Sequence, residues 1–141
     1  MSDTQAVLAI NQAFYRAFQQ KDLQAMSLLW VQSSNAICVH PGRPALQGWE
    51  QIRLIWEQIF RTPDPLPLEN DVIAVEVNGN MAYVIQAEKM VQQIQGRPMT
   101  AQSIATNIFE RVTTTWLLVH RHSSPILPPP SNQAMPNQMG G

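Results

Sequence analysis

The sequence predicts an α+β domain, with about three N-terminal helices packed on a strongly curved antiparallel sheet. Apolar residues recur at spacings of three and four as far as Phe60, a helical period. Pro63, Pro65 and Pro67 then stop helix formation. From Leu68 onward the period changes to two, the period of strands. Helices followed by a run of strands belong to the α+β class rather than to an alternating α/β fold.

The elements follow in order. Asp3 or Thr4 can cap a first helix whose stripe is Val7, Ile10, Phe14 and Phe18, widened by Leu8, Tyr15 and Ala17. Asp22 suits the cap of a short second helix with Leu23, Met26, Leu29 and Trp30 on one side. Asn35–His40 reads as a short strand, and Pro41-Gly42-Arg43-Pro44 as a loop. Gly48 opens a third helix that buries Trp49, Ile52, Ile55, Trp56, Ile59 and Phe60. Val72–Val77 is a strand, and Asn78-Gly79 is a strong hairpin signal before a return strand, Met81–Ile94. Gln95-Gly96-Arg97-Pro98 turns again, and Met99–Arg111 and Thr115–Ser123 complete the sheet. The last turn must lie within Val112-Thr113-Thr114, which lacks Gly, Asn and Asp. The domain therefore spans residues 1–124, and the Pro-, Gln-, Asn- and Gly-rich segment 125–141 reads as a flexible tail.

Bulk properties exclude several partners. A formal net charge of -1 gives no electrostatic case for nucleic acid or anionic membrane. No apolar stretch is long enough to span a bilayer, and the first residues lack a secretory signal. The single cysteine, Cys38, rules out an internal disulfide framework and fits a cytoplasmic setting.

The last strand carries the candidate chemistry. Unbroken alternation puts Trp116, Leu118, His120 and His122 on one face, and Leu117, Val119, Arg121 and Ser123 on the other. His120 and His122 then stand roughly 7 Å apart at the backbone. A cone between helices and sheet is where a ligand would sit. Facing it, His120 and His122, with His40, could act as general base. A zinc site needs a third fixed ligand, and His40 lies in a distant segment, so no metal or cofactor is expected. The plainer reading is a hydrogen-bonded pair tying the last strand to the helices. Glu76, Glu88 and Glu110 read as surface or dimer-facing acids, the common fate of Glu. Trp56 and Trp116 read as core, with the polar tips of Tyr15 and Tyr83 turned to a cavity. Cys38 can face the same side as His40. Arg43 reads as a solvated loop arginine.

Thr100-Ala101-Gln102-Ser103 with Thr106, then Trp116-x-x-Val119-His120-x-His122-x-Ser124, resembles the association (hub) domain of calcium/calmodulin-dependent protein kinase II and its SnoaL-like bacterial relatives. His40-Pro41-Gly42, Gly48 and the Ile52/Trp56/Phe60 helix resemble the N-terminal signature of the bacterial group. The order of elements resembles the nuclear transport factor 2-like superfamily, which includes ketosteroid isomerases and polyketide cyclases. The resemblance covers roughly residues 4–125 and implies a cone-shaped fold with a cavity. The residues expected to contact a ligand are Tyr15, His40, Trp56, Tyr83, Ile85, Ser103, Asn107, His120 and His122. In the kinase hub, arginines enter the cavity from the two middle strands; Ile85 and Asn107 stand at those positions here. The kinase domain is absent, and no counterpart of the isomerases' oxyanion tyrosine and acidic donor is found.

The resulting expectation is a homodimeric small-molecule-binding or assembly module. Its partners would be a second copy, held through the sheet face, and a small apolar or mixed-polarity ligand. Leu117 and Val119 beside Arg121 suit burial between subunits. A SnoaL-like isomerase, cyclase or dehydratase using His40, His120 or His122 as base ranks second, because no convincing acid–base pair is visible.

Overall fold

The computed structural model describes residues 2–127. Helix α1 spans Asp3–Gln20. Its cap is Ser2, one residue before Asp3 and two before Thr4. The Ser2 hydroxyl accepts the Gln5 N–H at 3.1 Å, and the Ser2 N–H donates to Gln5 Oε1 at 3.0 Å, a reciprocal capping box. Helix α2 spans Leu23–Ser27 from its Asp22 cap, as expected. Helix α3, Trp49–Phe60, starts at Gly48, whose φ of 92° favours glycine.

The sheet has six strands: β1 Ile37–Val39, β2 Leu46–Gln47, β3 Leu68–Asn78, β4 Met81–Ile94, β5 Arg97–Val112 and β6 Thr115–Ile126. Their spatial order is β2-β1-β6-β5-β4-β3. The two-residue β2 lies between the Pro41–Pro44 loop and Gly48, in a stretch with no expected element. Strand β1 pairs parallel to β6, so the sheet is antiparallel throughout except at that one junction. The Asn78-Gly79 hairpin forms as expected. The last turn is Thr113-Thr114, with Thr113 at a positive φ of 60°. Strand β6 runs two residues past 124, pairing Pro125 and Ile126 with β5. The rest of the presumed tail, 128–141, lies outside the described residues. Among the described residues, no helix is long and apolar enough to cross a membrane.

The decisive local feature is a bulge in β6. Phe109 pairs with Leu118, but Ile108 pairs with His120, which leaves Val119 as an extra residue. One inserted residue reverses the alternation beyond it. Trp116 and Leu118 are buried before the bulge, and Arg121 and Ser123 after it. His120 and His122 therefore project from the opposite, outer face, contrary to the unbroken alternation. A second irregularity, at Ile73 of β3, adds to the bending.

Helices cover the inner face. Trp56 is fully buried, with the Phe14 and Phe18 rings edge-on at 5.7 and 5.6 Å. Met26, Ile52, Val84, Phe109 and Leu118 complete this core. Met81, Tyr83 and Val91 are exposed on the outer face of β4.

Candidate functional site

The site is built from the inner positions of β4. Ala82 and Val84 are core residues, and the two-residue period carries Gln86, Glu88 and Met90 to the same side. Glu88 is only 2% exposed, so it is not a surface acid. Four donors surround it. Tyr15 Oη donates to Oε2 at 2.6 Å, and Arg121 Nη1 reaches the same oxygen at 2.9 Å. Ser103 Oγ and Ser123 Oγ donate to Oε1 at 2.9 and 2.8 Å. Oε1 thus accepts two hydrogen bonds, and Oε2 accepts one beside its ion pair with Arg121.

Burial pushes the Glu88 carboxyl upward, but the Arg121 guanidinium and the hydroxyl donors outweigh it and hold the group below its usual range. Burial opposes the charge on Arg121 too; Glu88 reverses that and keeps it above its ordinary value. Burial raises the Tyr15 phenol far above its normal range, with Glu88 adding and Arg121 opposing. The Arg121 guanidinium also lies over the Phe14 ring, 4.8 Å from its centre.

A chain of amides extends this cluster behind the cavity. Asn70 and Asn11 both donate to Gln86 Oε1, at 3.3 and 2.7 Å. Asn107 Nδ2 donates to Asn11 Oδ1 at 2.9 Å, and Arg121 Nη1 to Asn107 Oδ1 at 3.4 Å. The network joins α1 to four strands and fixes Arg121 from behind.

In front lies a cavity of about 540 Å³. Phe18, Ile55, Ile59, Leu66 and Met90 form its apolar wall, and Glu88, Ser103 and Arg121 its buried deep end. Arg43, Gln58 and Gln102 are exposed around the mouth. His40 also lines it, with its ring edge-on to Trp56 at 4.9 Å and its Nε2 3.7 Å from Cys38 Sγ. Burial, aided by Arg121 and Arg43 and opposed by Glu88, lowers His40 to about 4, so its imidazole is neutral at neutral pH. Cys38 does face the side of His40. Burial pushes its thiol up to about 12, with Arg121 opposing and Glu88 adding, so it stays protonated.

Of the expected contacts, His40 and Ser103 line the cavity. Tyr15 and Asn107 are buried behind it, where Tyr15 donates to Glu88 and Asn107 accepts from Arg121. Trp56 is core. Tyr83 and Ile85 lie on the outer face, because they alternate with the buried Ala82, Val84 and Gln86. His120 and His122 are outside as well, ring centres 6.4 Å apart; burial, then His122, lowers the pKa of His120. The three histidines do not converge. Arg121, read as an interface neighbour, points inward instead, and Asn11, Gln86 and Ser123 belong to the site although no motif marks them. Among the described residues, no group of three or more His, Cys, Asp or Glu could hold a metal ion.

Comparison with known proteins adds the lineage. The SnoaL-like domain matches residues 7–128. A candidate dehydratase of the nuclear transport factor 2-like family from Streptomyces avermitilis is 29% identical, with a TM-score of 0.80 over 89% of this chain and 97% of that one. A candidate calcium/calmodulin-dependent protein kinase type II association domain from Thiobacillus denitrificans shares the fold, with a TM-score of 0.76 at 24% identity over 84% of this chain and 94% of that one. The F-box protein SKIP8 of Arabidopsis thaliana is 27% identical over 124 residues, or 88% of this chain. The chain spans about half, 51%, of that curated relative's length.

Proposed function

The chain belongs to the SnoaL-like domain family, and from that premise we propose that it is a small-molecule-binding module that self-associates through the outer face of its sheet and acts in the cytoplasm. One observation carries the binding reading: a cavity of about 540 Å³ ends in a polar cluster whose carboxylate accepts from three hydroxyls and pairs with Arg121. A base needs a free lone pair and a pKa near the working pH. Glu88 offers neither, while a rigid, satisfied polar floor suits recognition.

Ligand-observed NMR with small cyclic fragments tests this. Binding is expected to the unaltered protein and to be lost in Ala101→Trp, which fills the cavity from β5. Equal binding to both proteins, or to neither, contradicts the reading. Self-association rests on the exposed Tyr83 and Met81 beside half-buried Ile85 and Leu117. Light scattering should give a dimer at micromolar concentration and a monomer for Tyr83→Lys. A monomer in both cases ends that part.

The neutral His40 imidazole on the cavity wall favours one second reading, a SnoaL-like isomerase, cyclase or dehydratase with His40 as base. A group with a value of about 4 is a weak base, which places this reading second.

A further inference from the structure

The deep end of the cavity holds one cation and one anion, Arg121 and Glu88, 2.9 Å apart. Their charges cancel. A ligand carboxylate lodged there would meet Glu88, and a ligand ammonium would meet Arg121. Either ion would lose its water without gaining a free counter-charge. Arg43 does not alter this, because it stands at the exposed mouth, where solvent screens it.

The hydrogen-bonding capacity left at that end is specific. Ser103 spends its only hydrogen on Glu88, so toward a ligand its oxygen can only accept. Arg121 is the converse, a group that can only donate. Its side chain lines the cavity though only 2% exposed, and its Nε, enclosed behind the lining surface, has no partner among the described residues. Both residues hold the same carboxylate, so an acceptor and a donor stand side by side against an apolar wall.

We propose that this cavity takes a neutral organic molecule with a compact apolar body and a polar end that pairs a donor with an adjacent acceptor, as a primary or secondary carboxamide or a lactam does. The ligand N–H donates to Ser103 Oγ, and the ligand carbonyl accepts from Arg121. This rests on the binding reading above and names the ligand class for it.

Four compounds with one cyclohexyl body test the proposal on the unaltered protein by calorimetry and ligand-observed NMR. They are cyclohexanecarboxamide, cyclohexanecarboxylate, cyclohexylmethylammonium and N,N-dimethylcyclohexanecarboxamide. The primary carboxamide is expected to bind at least about tenfold tighter than each of the others, because each leaves a buried group unpaired or a charge unmatched. Ser103→Ala should lower its affinity to that of the dimethylamide, with a thermal melt showing that the variant is folded. Tighter binding of either ion, or a dimethylamide as tight as the primary amide, overturns the ligand class. Equal binding of all four overturns the class and leaves cavity binding standing. If none of the four binds, the class and the binding reading fall together.

Discussion

Along β6 beyond Val119, Arg121 and Ser123 alternate with His120 and His122, and the two pairs occupy different media. Arg121 and Ser123 lie within the domain, ligated to Glu88. His120 is half-buried and His122 exposed on the other side of the sheet. Local sequence does not distinguish the pairs; each is polar, and each repeats at a spacing of two. What separates them is one extra residue upstream. The difference teaches that the polarity of a strand's faces is decided where its alternation is broken. Its energetic consequence is large, because a charge lost from a buried pair strands its partner, while a charge lost from a surface leaves water in its place.

Inserting one alanine between Val119 and His120 should have the largest effect. With the bulge kept, it reverses the alternation a second time, turning His120 and His122 inward and forcing Arg121 and Ser123 out of the interior. The expected loss exceeds about 5 kcal/mol, seen in urea denaturation as loss of a cooperative transition. A variant that unfolds like the parent would show that the register beyond Val119 does not set the faces. Next come Glu88→Gln and Arg121→Met, each leaving one buried charge unpaired, at roughly 3–5 kcal/mol in the same assay.

Acid should act through the inner face. The folded value of His40, about 4, lies below its reference of 6.5. The unfolded chain therefore binds a proton between pH 6.5 and about 4 that the folded chain refuses, and stability falls as pH falls through that window, by at most about 3 kcal/mol. Glu88 continues the decline. Its carboxyl is depressed in the fold, so its contribution, present above the unfolded value of about 4.5, is lost as the pH falls through the folded one. Denaturation across pH in His40→Gln should flatten the first part of this slope and leave the second. The smallest effect belongs to the outer face. His120→Ala and His122→Ala should each change stability by less than about 1 kcal/mol. They should also leave fragment binding unaltered in calorimetry.

Much of the fold was legible because its signals are local. The α3 stripe from Trp49 to Phe60, the Asn78-Gly79 hairpin and the change of period after the prolines all lie within a few residues of what they determine. The bulge was not legible, because Trp116-Leu117-Leu118-Val119 is apolar at every position and offers no Gly or polar break to mark a slip. Strand β2 is too short to show a period, and its pairing comes from β1. The burial of Glu88 is not legible locally, because its partners Ser103, Ser123 and Tyr15 sit 15, 35 and 73 residues away. One signal could have found it: counting in twos from the core positions Ala82 and Val84 brings Gln86 and Glu88 inward with no interruption. A buried Glu and a buried Gln on one strand then demand polar partners, which points to Arg121 and Asn11.

The central claim is that Glu88 of β4 and Arg121 of β6 form one buried unit on the inner face of the sheet. A double-mutant cycle of Glu88→Gln, Arg121→Met and the two combined, followed by urea denaturation, tests it most directly. The account predicts a coupling of at least about 2 kcal/mol, with the double variant much less destabilised than the two singles added together. Additive losses, with His120→Ala costing more than either single, would contradict it.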